Sequence, residues 1–204
     1  MDALGLALIL VDIQNDFLPG GALAVPEGEA VIPVANGLIP QFDLVVATKC
    51  WHPPNHVSFA VNHPGRQAFE TITIDGLQQT LWPVHCVQNT GGAAFAPALE
   101  TERIARVFPK GTDPTVDGYS GFFDNARRGS TGLAEFLRER GVTSVVVCGL
   151  ATDYCVRATA LDASAEGFDV RVIEEGCRGV NVRAGDVDRA LGDMRRAGVV
   201  ITHA

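Results

Sequence analysis

The sequence contains no cluster of basic residues, no Cys-x-x-Cys pair, no GxGxxG fingerprint and no apolar stretch long enough to span a bilayer. Each absence narrows the function. Without a basic cluster, and with a formal net charge of −8, nucleic acid is not expected as a partner. Without a Cys-x-x-Cys pair, dithiol redox chemistry has no support. Without GxGxxG, neither does a dinucleotide site. The apolar N-terminal run, Leu4 to Val11, has no cationic leader and is broken by Asp12. It therefore reads as a buried first strand, not as a signal peptide or a membrane anchor. The cysteines number only five, and an odd, scattered set does not form the disulfide framework of a small secreted domain. A cytoplasmic protein with no membrane partner is expected.

What is present is a chain of 204 residues with 47% hydrophobic content, enough for one substantial core and a single domain spanning residues 1–204. Five further apolar runs resemble the first: Leu44–Thr48, Ile104–Phe108, Val142–Cys148, Val170–Ile173 and Val199–Thr202. Short continuous runs rich in Val and Ile suit strands covered on both faces. Helical patterns lie between them, at Glu29–Ile39, Thr131–Arg140, Asp153–Glu166 and Ala184–Arg196. Ser130 is the expected N-cap of the second of these and Gly141 its stop; Gly167 and Gly198 end the last two. The alternation predicts an α/β fold with three α/β/α layers around a six-stranded, mostly parallel sheet. Residues 49–101 break the rhythm. They carry little periodicity but hold His52, His56, His63 and His85, together with Trp51 and Trp82. A segment that long without structure of its own is usually functional, and this one leaves the carboxyl end of a strand, where open α/β sheets bind ligands.

The chemistry concentrates at strand ends. The run Val142–Cys148 ends at Gly149, and a helical segment follows, which puts Cys155 in the first helical turn. Orphan amides and the helix dipole there favour a thiolate and the oxyanion formed when it attacks a carbonyl. Asp12 closes the first strand and Lys110 follows the third, so a proton acceptor and a cation would share that edge with the thiol. Each has a plainer reading: Asp12 as a loop cap, Lys110 as a solvated cation, Cys155 as a small buried residue. His52, His56 and His85 read either as a metal site or as ordinary loop histidines.

Three segments resolve these alternatives together. Val-Asp12-Ile-Gln-Asn-Asp-Phe17, Phe-Pro-Lys110-Gly and Gly-Leu-Ala-Thr-Asp-Tyr-Cys155-Val occur in that order and resemble the signature segments of isochorismatase-like cysteine hydrolases, in particular the nicotinamidase/pyrazinamidase branch. The resemblance implies that fold (Rossmann-like) and hydrolysis of nicotinamide, or pyrazinamide, through a thioester. It implies Cys155 as nucleophile, Asp12 as proton shuttle, Lys110 as the charge that holds the pair, and the amides of Ala151 and Cys155 as the oxyanion hole. It further implies a cis peptide between Leu150 and Ala151 and a place in NAD salvage. His52, His56 and His85 match three ligands of a divalent metal, zinc by preference, with iron or manganese as alternatives. Phe17, Leu23, Trp82 and Tyr119 match positions around the pyridine ring.

One position departs from the family pattern: Cys50 stands where the resemblance implies a fourth, aspartate ligand. Two readings follow. Cys50 ligates as a thiolate, which suits zinc, or it stays protonated and metal binding weakens. The neighbouring Cys86 is a weaker alternative ligand. Cys148 and Cys177 read as packing residues, and His63 and His203 as exposed. Rival readings are a related amidase acting on an N-carbamoyl, maleamate or ureidoacrylate-type substrate, and a binding protein that kept the pocket without turnover. The oligomeric state, monomer or homo-oligomer, is left open by the sequence.

Overall fold

A computed structural model describes residues 5–203; the start of the first expected strand, Leu4, lies outside them. Six strands form one sheet: β1 Gly5–Val11, β2 Val45–Cys50, β5 Ile104–Lys110, β6 Val142–Leu150, β7 Asp169–Arg178 and β8 Val200–Thr202. Their spatial order is β5-β2-β1-β6-β7-β8, and every neighbouring pair is parallel. The sheet is thus wholly parallel, and the six apolar runs are its strands. Ala7 to Val11 are buried without alternation, as a central strand covered on both faces must be. β5 lies at the sheet edge and alternates in burial towards its end. Pro109 is tolerated there because an edge strand can forgo one ladder N–H.

The helices are α1 Val31–Leu38, α2 Leu133–Arg138, α3 Arg157–Ala165 and α4 Asp186–Arg196. α1 packs on β6 and β7, α2 on β6, and α3 on β7 and α4. α3 is entered through a π-helical turn, Thr152–Val156, instead of a regular first turn. The N-cap of α2 is Gly132, in the left-handed region at φ 84°, and not Ser130. Ser130 sits two residues earlier, where its hydroxyl accepts from the Gly132 N–H. That short hydroxyl turn uses up the capping oxygen before the helix begins.

Residues 49–101 are not without regular structure. They contain an antiparallel hairpin, β3 Thr71–Ile74 with β4 Leu77–Thr80. Asp75 and Gly76 turn it with φ of 49° and 83°, the two positive values that a tight hairpin turn of the mirror-image type requires. The strand β7 also runs five residues beyond the expected Ile173, so Cys177 lies inside it.

β1 runs outward to β2 on one side and has β6 on the other, so the strand order reverses between β1 and β6. A crevice opens at the carboxyl ends of strands at such a point. Gly149 makes the approach possible. It pairs with Val11 at φ 128°, and a Cβ there would overlap the Val11 carbonyl oxygen. Gly149→Ala is therefore expected to destabilise the fold by about 3 kcal/mol, read as a lower denaturant midpoint in equilibrium unfolding. A midpoint within error of the parent would show that β1 and β6 have room to separate.

Candidate active site

Asp12, Lys110 and Cys155 come together at this crevice from the ends of β1, β5 and β6. Asp12 and Lys110 are 0% and 3% exposed, so neither is the loop cap or the solvated cation of the plainer readings. The Lys110 ammonium lies 2.9 Å from Asp12 Oδ2 and donates to Cys155 Sγ at 3.2 Å and to the Gly118 carbonyl at 3.2 Å. Asp12 is held at φ 50°, a left-handed conformation uncommon outside glycine. Its Oδ1 accepts from the Thr48 hydroxyl at 2.7 Å. The peptide between Leu150 and Ala151 is cis.

Cys50 belongs to the same cluster. Its Sγ accepts from Lys110 Nζ at 2.9 Å and lies 3.6 Å from Asp12 Oδ2. Asp12, Cys50 and Cys155 offer ligand-type atoms that all lie within 4.8 Å of one another. The Cys155 thiol is pushed well above its usual range, first by its hydrogen bond with Cys50 and then by burial; Lys110 opposes both and does not overcome them. The expected lowering at a helix start is thus not realised in the resting site, because a buried second thiol shares the proton and burial disfavours the thiolate. Burial opposes the Lys110 charge too, but Asp12, Cys155 and Cys50 outweigh it and hold the ammonium protonated.

The three histidines sit beside this cluster with matched anchoring. Nδ1 of His52 lies 2.9 Å from the Gly111 carbonyl, Nδ1 of His56 2.7 Å from Ser58 Oγ, and Nδ1 of His85 2.8 Å from the Pro83 carbonyl. Such contacts leave each Nε2 for another partner. Nε2 of His56 is buried with no hydrogen-bond partner among the described residues, which leaves it able to serve as a ligand atom. The His52 ring centroid is 4.3 Å from that of His56 and 5.0 Å from that of His85. Burial lowers the basicity of all three, holding His52 below its usual range and taking His56 from 6.5 to about 4 and His85 from 6.5 to about 3. Neutral imidazoles are the form that binds metal. The donor set fits a divalent ion. Ligand-type atoms cluster in two trios that share His52: Cys50, His52 and His85 on one side, His52, His56 and Asp117 on the other, each within 4.8 Å. Cys86 is in neither. Its thiol is buried and pushed upward in pKa by burial, and its N–H donates to Asp16 Oδ2 at 2.6 Å.

A cleft runs between the catalytic cluster and the histidines, and Phe17, Leu23, Trp82 and Tyr119 all line it. The Tyr119 hydroxyl accepts from Trp82 Nε1 at 3.2 Å and from Gln79 Nε2 at 3.3 Å. Tyr154, not anticipated from the sequence, meets the Trp82 ring edge-on at 4.7 Å between centroids. Sequence reasoning also missed Asp117, which lines the cleft, and Gln14. The buried Gln14 amide donates to the carbonyls of Cys50 (2.8 Å) and Ala93 (2.9 Å) and accepts from the Cys50 N–H (2.7 Å). His203 is exposed as expected, but His63 is half-buried against the Val57 carbonyl. All five cysteines are free and buried. Among the described residues no helix is long and apolar enough to cross a membrane.

The isochorismatase domain matches residues 6–204 of the chain. A nicotinamidase from Escherichia coli (strain K12) is 50% identical over 199 residues, covering 96% of this chain and 93% of that protein. A solved nicotinamidase/pyrazinamidase structure from Acinetobacter baumanii superposes with a TM-score of 0.96 at 44% identity, covering 100% of this chain and 98% of the other. A pyrazinamidase from Pyrococcus horikoshii, solved in complex with zinc, gives a TM-score of 0.80 at 43% identity, with 98% and 99% covered.

Two tests follow from this geometry. Cys50→Ala removes the main influence holding the Cys155 proton and leaves Lys110 to Cys155. Alkylation of Cys155 at neutral pH, followed by peptide mass spectrometry, is expected to speed up several-fold; an unchanged or slower rate would refute the shared proton. The depressed histidines set the acid limit of the metal-free protein. Their folded pKa values lie below the unfolded ones, so below pH 6.5 the unfolded state takes up protons first. Stability is therefore expected to fall from pH 6.5 down to about 4 for His56 and about 3 for His85, and a flat melting temperature over that window would contradict it.

Proposed function

The chain belongs to the isochorismatase family, and from that premise we propose that it is a nicotinamidase acting through Asp12, Lys110 and Cys155. It hydrolyses nicotinamide to nicotinate and ammonia. The observation that carries the assignment of residues is the meeting of those three side chains at one end of an aromatic-walled cleft whose other end presents His52 and His85.

The chemistry follows from the contacts. A flat, neutral carboxamide enters between Phe17, Trp82 and Tyr119, where ring contact contributes about 0.5–1.5 kcal/mol beyond burial of area. Asp12 takes the Cys155 thiol proton, and the sulfur attacks the carboxamide carbon. The resulting oxyanion is received by the N–H groups of Ala151 and Cys155. Collapse breaks the C–N bond as Asp12 returns the proton to the leaving nitrogen, which departs as ammonia. A water then gives a proton to Asp12 and its oxygen to the thioester carbon. As the C–S bond breaks, Asp12 passes that proton to the Cys155 sulfur, restoring the thiol, and the acid leaves as nicotinate with its own proton lost to solvent. Lys110 does not transfer a proton; its ammonium compensates the negative charge that passes between Asp12 and Cys155.

His52, His56 and His85 hold a divalent metal, and zinc is the best match to an imidazole-rich set. When bound, it supplies a fixed point for the pyridine nitrogen. Because the Nδ1 atoms are anchored, the imidazoles need little rearrangement to present their Nε2 atoms. Free, buried cysteines accord with a reducing, cytoplasmic setting, and the family resemblance supports a role in NAD salvage.

Ammonia release from nicotinamide by the purified protein tests the reading. Cys155→Ala is expected to abolish release, and Asp12→Asn and Lys110→Met to lower kcat by about 10³-fold each. Turnover of maleamate or an N-carbamoyl amine, with none of nicotinamide, would reassign the substrate while leaving the nucleophile in place. Full release by Cys155→Ala would reject the mechanism.

A further inference from the structure

We propose that Asp117 is the anionic metal ligand of this protein, binding together with His52 and His56, while Cys50 stays with the catalytic cluster. The inference deepens the metal site described above and rests on that reading. Its first support is position. Asp117, His52 and His56 each offer a ligand-type atom within 4.8 Å of the others, and all three residues are buried.

The second support is charge. Asp117 is 3% exposed, yet it makes no ion pair among the described residues, whereas the equally buried Asp12 is paired with Lys110. Buried carboxylates are ordinarily paired with a cation or bound to a metal. Asp117 is nonetheless held as a carboxylate. Its Oδ1 accepts from the Gly118 N–H at 2.8 Å and its Oδ2 from Gln79 Nε2 at 2.9 Å. Two donors occupy two of roughly four lone-pair directions on a carboxylate. They orient it and leave it able to accept a cation, as outer-shell bonds do for ligating carboxylates.

The third support is the partner atom. Nε2 of His56, in the same trio, is the one buried side-chain nitrogen or oxygen without a hydrogen bond among the described residues. A carboxylate without a counter-charge and an imidazole nitrogen without a partner meet at one place. The rival trio, through Cys50, has neither property. Cys50 Sγ already accepts from the Lys110 ammonium at 2.9 Å, and a divalent ion on the same sulfur would face that positive charge at close range. A hard oxygen donor beside imidazoles also leaves the site open to manganese, which a thiolate would disfavour.

The test uses metal-free full-length protein titrated with cobalt(II) and zinc, with affinity measured by competition against a chromophoric chelator. The wild-type cobalt spectrum is expected to lack a thiolate-to-metal charge-transfer band and to be unchanged in Cys50→Ser. Asp117→Asn is expected to weaken binding by at least about 100-fold, the upper end of effects seen on losing a supporting group. A thiolate band in the wild-type spectrum, or parent-like affinity in Asp117→Asn, would overturn Asp117 as ligand and leave the metal site standing. No uptake of either metal by the wild-type protein would overturn both.

Discussion

The ion pair between Asp12 and Lys110, closed off from solvent at the ends of β1 and β5, is the interaction on which the site depends. Neither charge tolerates that burial alone, and removing one partner from such a pair typically costs about 3–5 kcal/mol. The pair therefore holds together two strands that do not touch, since β2 lies between them in the sheet. β2 contributes the Thr48 hydroxyl to Asp12 and the Cys50 sulfur to Lys110. Catalytic and structural demands coincide here: the cation that would balance the attacking sulfur is the one that makes a buried carboxylate tolerable.

The long segment after β2 is tied to this pair by residues of the same N-terminal motif. Gln14 bonds both to the Cys50 backbone and to Ala93, and Asp16 receives the Cys86 N–H next to His85. Two polar side chains just beyond β1 thus fix where the histidine loop begins and where it returns. The placement of His52 and His85 against the cleft is inherited from the strand that carries Asp12. Rigid positioning by a scaffold is how loops come to carry function in α/β folds.

Most of this architecture was legible in the chain. The six apolar runs are the six strands because a wholly parallel, doubly covered sheet writes itself as continuous Val and Ile. Asp12, Lys110 and Cys155 were readable because the carboxyl ends of strands converge at one edge. The hairpin was missed although Asp75-Gly76 is a strong turn signal, because its strands are four residues each and rich in Thr and Gln. Asp117 lies two residues before Tyr119 in a loop without periodic pattern, and nothing local records that it is buried opposite His56. Gln14 was overlooked for a similar reason: its partners are 36 and 79 residues away. Local pattern reports secondary structure; a buried polar contact across such separations is a property of the closed fold.

Cys50 shows how one side chain bears on both halves of the site. The Lys110 ammonium has three N–H donors but meets four acceptors: Asp12 Oδ2, Cys50 Sγ, Cys155 Sγ and the Gly118 carbonyl. A thiol at position 50 is a weak acceptor, so it competes with Cys155 for the lysine less than a carboxylate would, and it brings no charge of its own while protonated. The negative charge that a metal needs must then come from elsewhere. Asp117 lies one residue before the carbonyl that accepts from Lys110, and its own Oδ1 accepts from the same Gly118 N–H. Gly118 therefore faces Lys110 with its carbonyl and Asp117 with its N–H, through two successive peptide groups. The surroundings of Asp117 and of Lys110 are thus joined through the backbone of one residue, so a displacement of Gly118 would be felt on both sides of the cleft.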